Sequence, residues 1–220
     1  MTMADNTGMT SADRIAELRG APLLDALERL DPLSPEAHAL NVNELALDPG
    51  DLRKDDFRRL LNALVRLAAQ APAFDLSKVE PARFASLVAS ASRAQLESVV
   101  ADRALRERLL DEIFARMGAH IRPDRARNLQ AVVHWRLSGG AGEGGFDRYE
   151  TAISHGSCTV SREMNSSPRV TITIAPADFF RLITHQATPA VLFVTGRIKV
   201  KGDLAFAAGL IGFFDLPHPV

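Results

Sequence analysis

The sequence predicts an α+β protein, an N-terminal all-helical domain followed by a sheet whose one face is covered by helices. Two observations carry this. Up to about Ile121 the apolar residues recur at helical spacing, and after Arg122-Pro123 their period changes to 2. The alternating strands then read apolar on one side and polar on the other, which is the pattern of a sheet packed on a single face.

The helical half shows its own punctuation. Ser34-Pro35-Glu36 offers an N-cap followed by proline at the first helical position. In Phe57 to Leu67, a stripe of Phe57, Leu60, Leu61, Leu64, Val65 and Leu67 lies apart from Arg58, Arg59, Asn62 and Arg66. Ser92 and Gln95 fit a capping box, and Asp102 can cap a helix from Arg103 to about Met117 that buries Leu109, Leu110, Ile113, Phe114 and Met117. Five to seven helices fill this part, and a domain boundary is expected between residues 102 and 103.

In the second half Val133, Trp135 and Leu137 alternate with His134 and Arg136, and Val170, Ile172 and Ile174 alternate with Arg169, Thr171 and Thr173. Ile198 and Val200 alternate with Arg197, Lys199 and Lys201, so all three bases are expected on one side of a strand. Between the last two strands one helix, Asp178 to His185, presents Phe179, Leu182 and Ile183 on one face. Asp203 is placed to cap a closing helix through Phe214.

That closing helix carries Leu204, Phe206, Leu210, Ile211, Phe213 and Phe214 with only Ala and Gly between them. A helix apolar on every side is normally enclosed. Leaving four such side chains in water would forgo roughly 6 to 12 kcal/mol, at about 1.5–3 kcal/mol each. The second flank therefore needs cover: the N-terminal helices, a second subunit, a membrane surface or a lipid held beneath it.

Composition narrows the function. A formal net charge of -1 argues against a dedicated nucleic-acid binder. Cys158 is the single cysteine, so neither an internal disulfide nor a thiolate zinc site can form. The start, MTMADNTGMTSADR, has no secretion-signal pattern, and the run from Leu204 to Phe214 falls short of the ~20 residues of a membrane span. These features point to a cytoplasmic protein.

Three motifs invite catalytic or cofactor readings. Gly140 to Gly145 spells G-x-G-x-x-G after a strand, but the fingerprint requires a helix next and FDRYETAIS alternates like a strand, so the segment reads as a hairpin loop. His155-Gly156-Ser157-Cys158 places a thiol near an imidazole without a carboxylate to orient the ring, and reads as a turn. His120, His134, His185 and His218 lack ligand spacing, so no metal or other cofactor is expected, nor an enzymatic activity.

From about residue 105 to 216 the sequence resembles the sterol-carrier-protein-2 family of lipid-binding domains. The resemblance rests on LLDEIFARM, AVVHWRLSG, DRYETAISHG, SCTVS, RVTITIAPADFFRLI, THQATPAVLFVTG and GRIKVKGDLAF in register, with Gly196, Arg197, Lys199, Lys201, Gly202 and Asp203 in the family's basic-strand block. It implies a five-stranded mixed sheet backed by helices and a non-catalytic carrier for a fatty acyl chain, acyl-CoA or sterol-like molecule in an apolar tunnel. Carried over by position, Val133, Trp135, Ile172, Ile198 and Val200 would floor the tunnel, and Phe179, Leu182, Ile183, Phe193, Phe206, Leu210 and Phe213 would line it. Arg197, Lys199 and Lys201 would meet anionic headgroups or a transient membrane surface. The alternative is an interaction or accessory domain whose tunnel is filled or used for dimerisation. The N-terminal helices, outside the resemblance, are candidates for making a homodimer or holding an enzyme partner.

Overall fold

The computed structural model describes residues 10–71, 74 and 78–219. Packing divides the chain into two compact units that meet between Val99 and Val100. The first unit holds α1 (Ser11–Glu17), α2 (Gly20–Arg29), α3 (Pro35–Ala39), α4 (Lys54–Gln70), α5 (Pro81–Ser90) and most of α6 (Arg93–Ala101). Its core gathers Leu23, Leu24 and Leu27 of α2 with Leu60, Leu64 and Leu67 of α4. Polar residues close the helix ends. Arg66 donates to the Leu27, Glu28 and Leu30 carbonyls at the end of α2. Gln95 forms the capping box with Ser92 and also donates to the Pro49 and Leu52 carbonyls, so one side chain starts α6 and ties it to the preceding loop.

The second unit begins with α7 (Arg103–Ala119), capped by Asp102, whose carboxylate accepts from the Leu105 amide. A short α8 (Pro123–Ala126) leads into β1 (Gln130–Ser138), β2 (Phe146–Ser154), β3 (Ser157–Ser161) and β4 (Val170–Ile174). Then come α9 (Pro176–Ile183), α10 (Pro189–Val194), β5 (Ile198–Gly202) and α11 (Leu204–Gly209). The strands form one mixed sheet in the order β3-β2-β1-β4-β5, parallel only between β1 and β4.

Loop chemistry explains the connections. The Gly-rich segment after β1 is a hairpin loop that leads directly into β2, as the sequence predicts. At Gly140 a Cβ would stand 2.0 Å from the Asp147 amide nitrogen, so glycine is required by close backbone approach. β2 and β3 are joined by His155 and Gly156, both at positive φ (51° and 82°), the conformation of a tight two-residue hairpin.

Two elements differ from the expectation. The segment THQATPAVLFVTG, where no second helix is expected between the last two strands, contains α10, whose Val191 amide donates to the Thr188 hydroxyl, with Pro189 at the first position. The closing helix does not run unbroken to Phe214: α11 ends at Gly209 and Leu210–Phe213 is a tighter 3-10 turn. Arg122 donates its amide to the Phe213 carbonyl at 2.7 Å, the Asp215 amide donates to the His120 carbonyl, and Arg125 donates to the Gly212 carbonyl. These bonds tie the end of the segment to residues 120–125 and satisfy carbonyls that a helix end leaves free.

Candidate ligand-binding site

The covered face of the sheet is built in rows across the strands. Register aligns Tyr149, Trp135, Ile172 and Val200 in one row, and Asp147, Leu137, Ile174 and Ile198 in the next. Over the β2 and β1 side lies a packed aromatic cluster. Phe114 of α7 stacks on Tyr149 at 4.0 Å and on Phe179 of α9 at 5.2 Å, and meets Trp135 edge-on at 5.8 Å. Phe179 also meets Trp135 edge-on, and the indole N–H donates to the Thr151 hydroxyl. Val133, Trp135 and Phe179 are therefore enclosed by protein.

Cover thins toward β5. Ile172, Leu182, Ile183 and Ile198 remain buried, but Val200, at the end of the aromatic row, is half-buried. Around it α10 packs against β5, and α11 packs against β4 and β5. On these elements Phe206 and Leu210 are buried, Phe213 is half-buried and Phe193 is 48% exposed. Of the twelve apolar positions carried over by resemblance, nine are thus buried, and Val200, Phe213 and Phe193 are the three that are not. Phe114, Tyr149 and Thr151, which fill the floor beside Trp135, were not in that set. Their signal was the helical stripe of LLDEIFARM and the alternation of DRYETAIS.

Electrostatics separate the three bases. Arg197 precedes β5 and forms an ion pair with the buried carboxylate of Asp178 on α9, its Nε donating to Oδ2 at 3.0 Å and its Nη2 lying 2.7 Å from Oδ1. Its side chain is therefore engaged by α9, whereas the two lysines lie within β5 itself. Lys199 and Lys201 are exposed and pair in register with Thr173 and Thr171. Asp203 caps α11 through the Phe206 amide and accepts from Arg169; these bonds hold its carboxyl below the ordinary value. The Arg169 guanidinium also lies over the Phe206 ring at 4.4 Å. Gly202 sits at φ 108°, where a Cβ would stand 2.4 Å from the Arg169 carbonyl oxygen, so glycine lets β5 end against β4.

Other sites are poorer in free chemistry. A depression of about 360 Å³ is lined by Arg103, Glu107, Phe146, Asp147, Arg148 and Arg162. Each of its three arginines is paired, to Glu107, Glu143 and Asp111. Burial pushes the Cys158 thiol up to about 11, and His155 bonds Ser154 and Gln130. Among the described residues no group of His, Cys, Asp and Glu is arranged to hold a metal ion, and no helix is long and apolar enough to cross a membrane.

Comparison with known proteins places this architecture. Residues 110–215 match the SCP-2 sterol transfer family. No curated protein matches the chain. Among solved structures, the palmitated SCP2L2 of Aedes aegypti is 22% identical, covering 52% of this chain and 97% of that one, with a TM-score of 0.39. The sterol carrier protein domain 2 of Helicoverpa armigera is 20% identical over 49% of this chain and 84% of its own, with a TM-score of 0.41. A stereoselective inverting sec-alkylsulfatase from Pseudomonas sp. is 14% identical and is matched over 74% of this chain, with a TM-score of 0.43. The chain spans only 28% of that alkylsulfatase. The mixed sheet, its covering helices and the match over residues 110–215 together make this segment a domain of the SCP-2 sterol transfer family.

Proposed function

We propose that the second unit is a non-catalytic binder or carrier of an apolar, lipid-like molecule, which lies over β5 between the sheet and helices α9, α10 and α11. The observation that carries this reading is the incomplete cover over Val200. It shares a face with the buried Ile172 and Trp135, yet it remains half-buried, with half-buried Phe213 and exposed Phe193 on the neighbouring elements. An acyl chain or sterol-like body there would complete the aromatic row and remove apolar surface from water. Burying about 400 Å² of ligand corresponds to ~10 kcal/mol gross at ~25 cal/mol/Å², before the losses of association. Polar contacts are not needed for affinity of this kind. The enclosed half around Phe114 and Trp135 serves as a rigid wall.

The test is identification of what the full-length protein carries. Native mass spectrometry after gentle purification, followed by organic extraction, should show a bound lipid that extraction removes. A protein of bare mass that also fails to take up added fatty acid would reject the reading and favour an interaction domain.

A further inference from the structure

The Gly-rich loop between β1 and β2 plays no part in the ligand-binding reading, yet it borders the depression of about 360 Å³ in the second unit. β3 pairs with β2 only from Glu150 to Ser154, so the first half of β2, from Phe146 to Tyr149, forms an edge of the sheet. The depression is lined from this edge (Phe146, Arg148), from α7 (Arg103, Glu107), from the loop (Gly142) and from Arg162, just after β3. In the strand order β2 stands three places from β5. At ~4.8 Å per strand that is about 14 Å, so the depression is separate from the site proposed over Val200.

Three guanidiniums from three parts of the chain line one small volume, and the carboxylates paired with them hold them weakly. Arg103 is 68% exposed and pairs with Glu107 one turn along α7, and Arg162 pairs with the exposed Asp111. Exposed pairs of this kind contribute little. Arg148 donates from Nη1 to the Glu143 carboxylate at 2.8 Å and from Nη2 to the Glu143 carbonyl at 3.0 Å, while its Nε is buried and forms no hydrogen bond among the described residues. Glu143 itself is 84% exposed and stands in the loop just before Gly144 and Gly145, both at positive φ. The buried carboxylate at the site, Asp147, is already matched by the buried Arg106, whose Nε donates to it at 2.8 Å. Arg103, Arg106, Arg148 and Arg162 thus balance Glu107, Asp111, Glu143 and Asp147. An anion enters such a balanced site by exchange, and the carboxylate it displaces most easily is the most exposed one, Glu143.

We propose that this depression is a second ligand site, for a small molecule bearing a phosphate group, in which the phosphate takes the place of the Glu143 carboxylate on Arg148 and accepts also from Arg103 and Arg162. A phosphate suits donors that arrive from several sides, because its oxygens are spread in three dimensions, whereas the two oxygens of a carboxylate share one plane with a single guanidinium. The volume lies in the range of small-molecule sites and exceeds what one phosphate needs, and half-buried Phe146 offers an apolar wall for an organic body. The glycines contribute here as the mount of a displaceable glutamate, not as a dinucleotide fingerprint, which requires a helix to follow.

The experiment is isothermal titration calorimetry of the full-length protein with phenyl phosphate and with benzoate at constant ionic strength. Saturable binding of phenyl phosphate is expected, at least about tenfold tighter than that of benzoate. Arg103→Gln should weaken it about tenfold with an unchanged melting temperature, since the side chain is mostly exposed. Glu143→Gln should tighten it about threefold or more, because the internal competitor for Arg148 is gone. Glu112→Gln, the same loss of charge farther along α7 where Glu112 pairs with Arg116, should leave it unchanged. No saturable binding by the parent, benzoate bound as tightly as phenyl phosphate, or a Glu143→Gln protein that binds no more tightly than the parent would each overturn the proposal. Equal tightening by Glu143→Gln and Glu112→Gln would do so too, since it would show a general effect of net charge.

Discussion

Glu150 shows how single side chains specify the second unit. Burial opposes its charge, but the amide and hydroxyl of Ser166 and the ring of His134 outweigh burial and hold the carboxyl below its ordinary value. Because the folded form binds its proton less readily than the unfolded chain, this contribution is present above the ordinary carboxyl range and is lost as pH falls through the folded value. Denaturant unfolding across an acid series should show a shallower loss for Glu150→Gln than for the parent, with a cost of about 1–3 kcal/mol at neutral pH. An unchanged slope would reject this assignment. Cys158 gives a second expectation, since a thiol raised to about 11 is almost wholly protonated at neutral pH. Its reaction with a disulfide reagent should be slow at pH 7 and accelerate toward the alkaline range; fast reaction at pH 7 would contradict its burial. At this scale local signals were legible and distant ones were not. The Asp102 and Asp203 caps follow from adjacent residues, whereas Arg197–Asp178 and His134–Glu150 depend on packing and strand register that no local spacing encodes.

Among the elements, β1, β4 and β5 were readable because a period of 2 ran through each, and α7 because Asp102 marks its start. α10 was missed although Thr188-Pro189 carries the same start signal as Ser34-Pro35, because six residues are too few to establish a helical stripe. The closing segment reads as one helix because nothing in its apolar run marks the change from α11 to the 3-10 turn at Leu210. Within that segment Leu210 is 1% exposed, so its side chain is packed rather than poised beside open space. A Leu210→Trp substitution should therefore destabilise the second unit by about 1–3 kcal/mol in denaturant unfolding. A stable variant would show room beneath the 3-10 turn that the packing does not provide.

For the molecule as a whole, the five strands and their single covered face were legible, whereas which apolar positions end up buried and which, like Val200, stay half-buried was not. The strands share the same alternation; what sets the β1–β2 side apart is the Phe114 ring of α7, which packs on Tyr149, Trp135 and Phe179. The carrier reading depends on that difference. The most direct measurement is titration of the full-length protein and its Val200→Trp variant with a fluorescent fatty acid. The account predicts saturable uptake by the parent and at least about tenfold weaker uptake by the variant, with the melting temperature retained, because the indole would fill the site proposed over β5. Equal uptake by both proteins, or none by the parent, would contradict it.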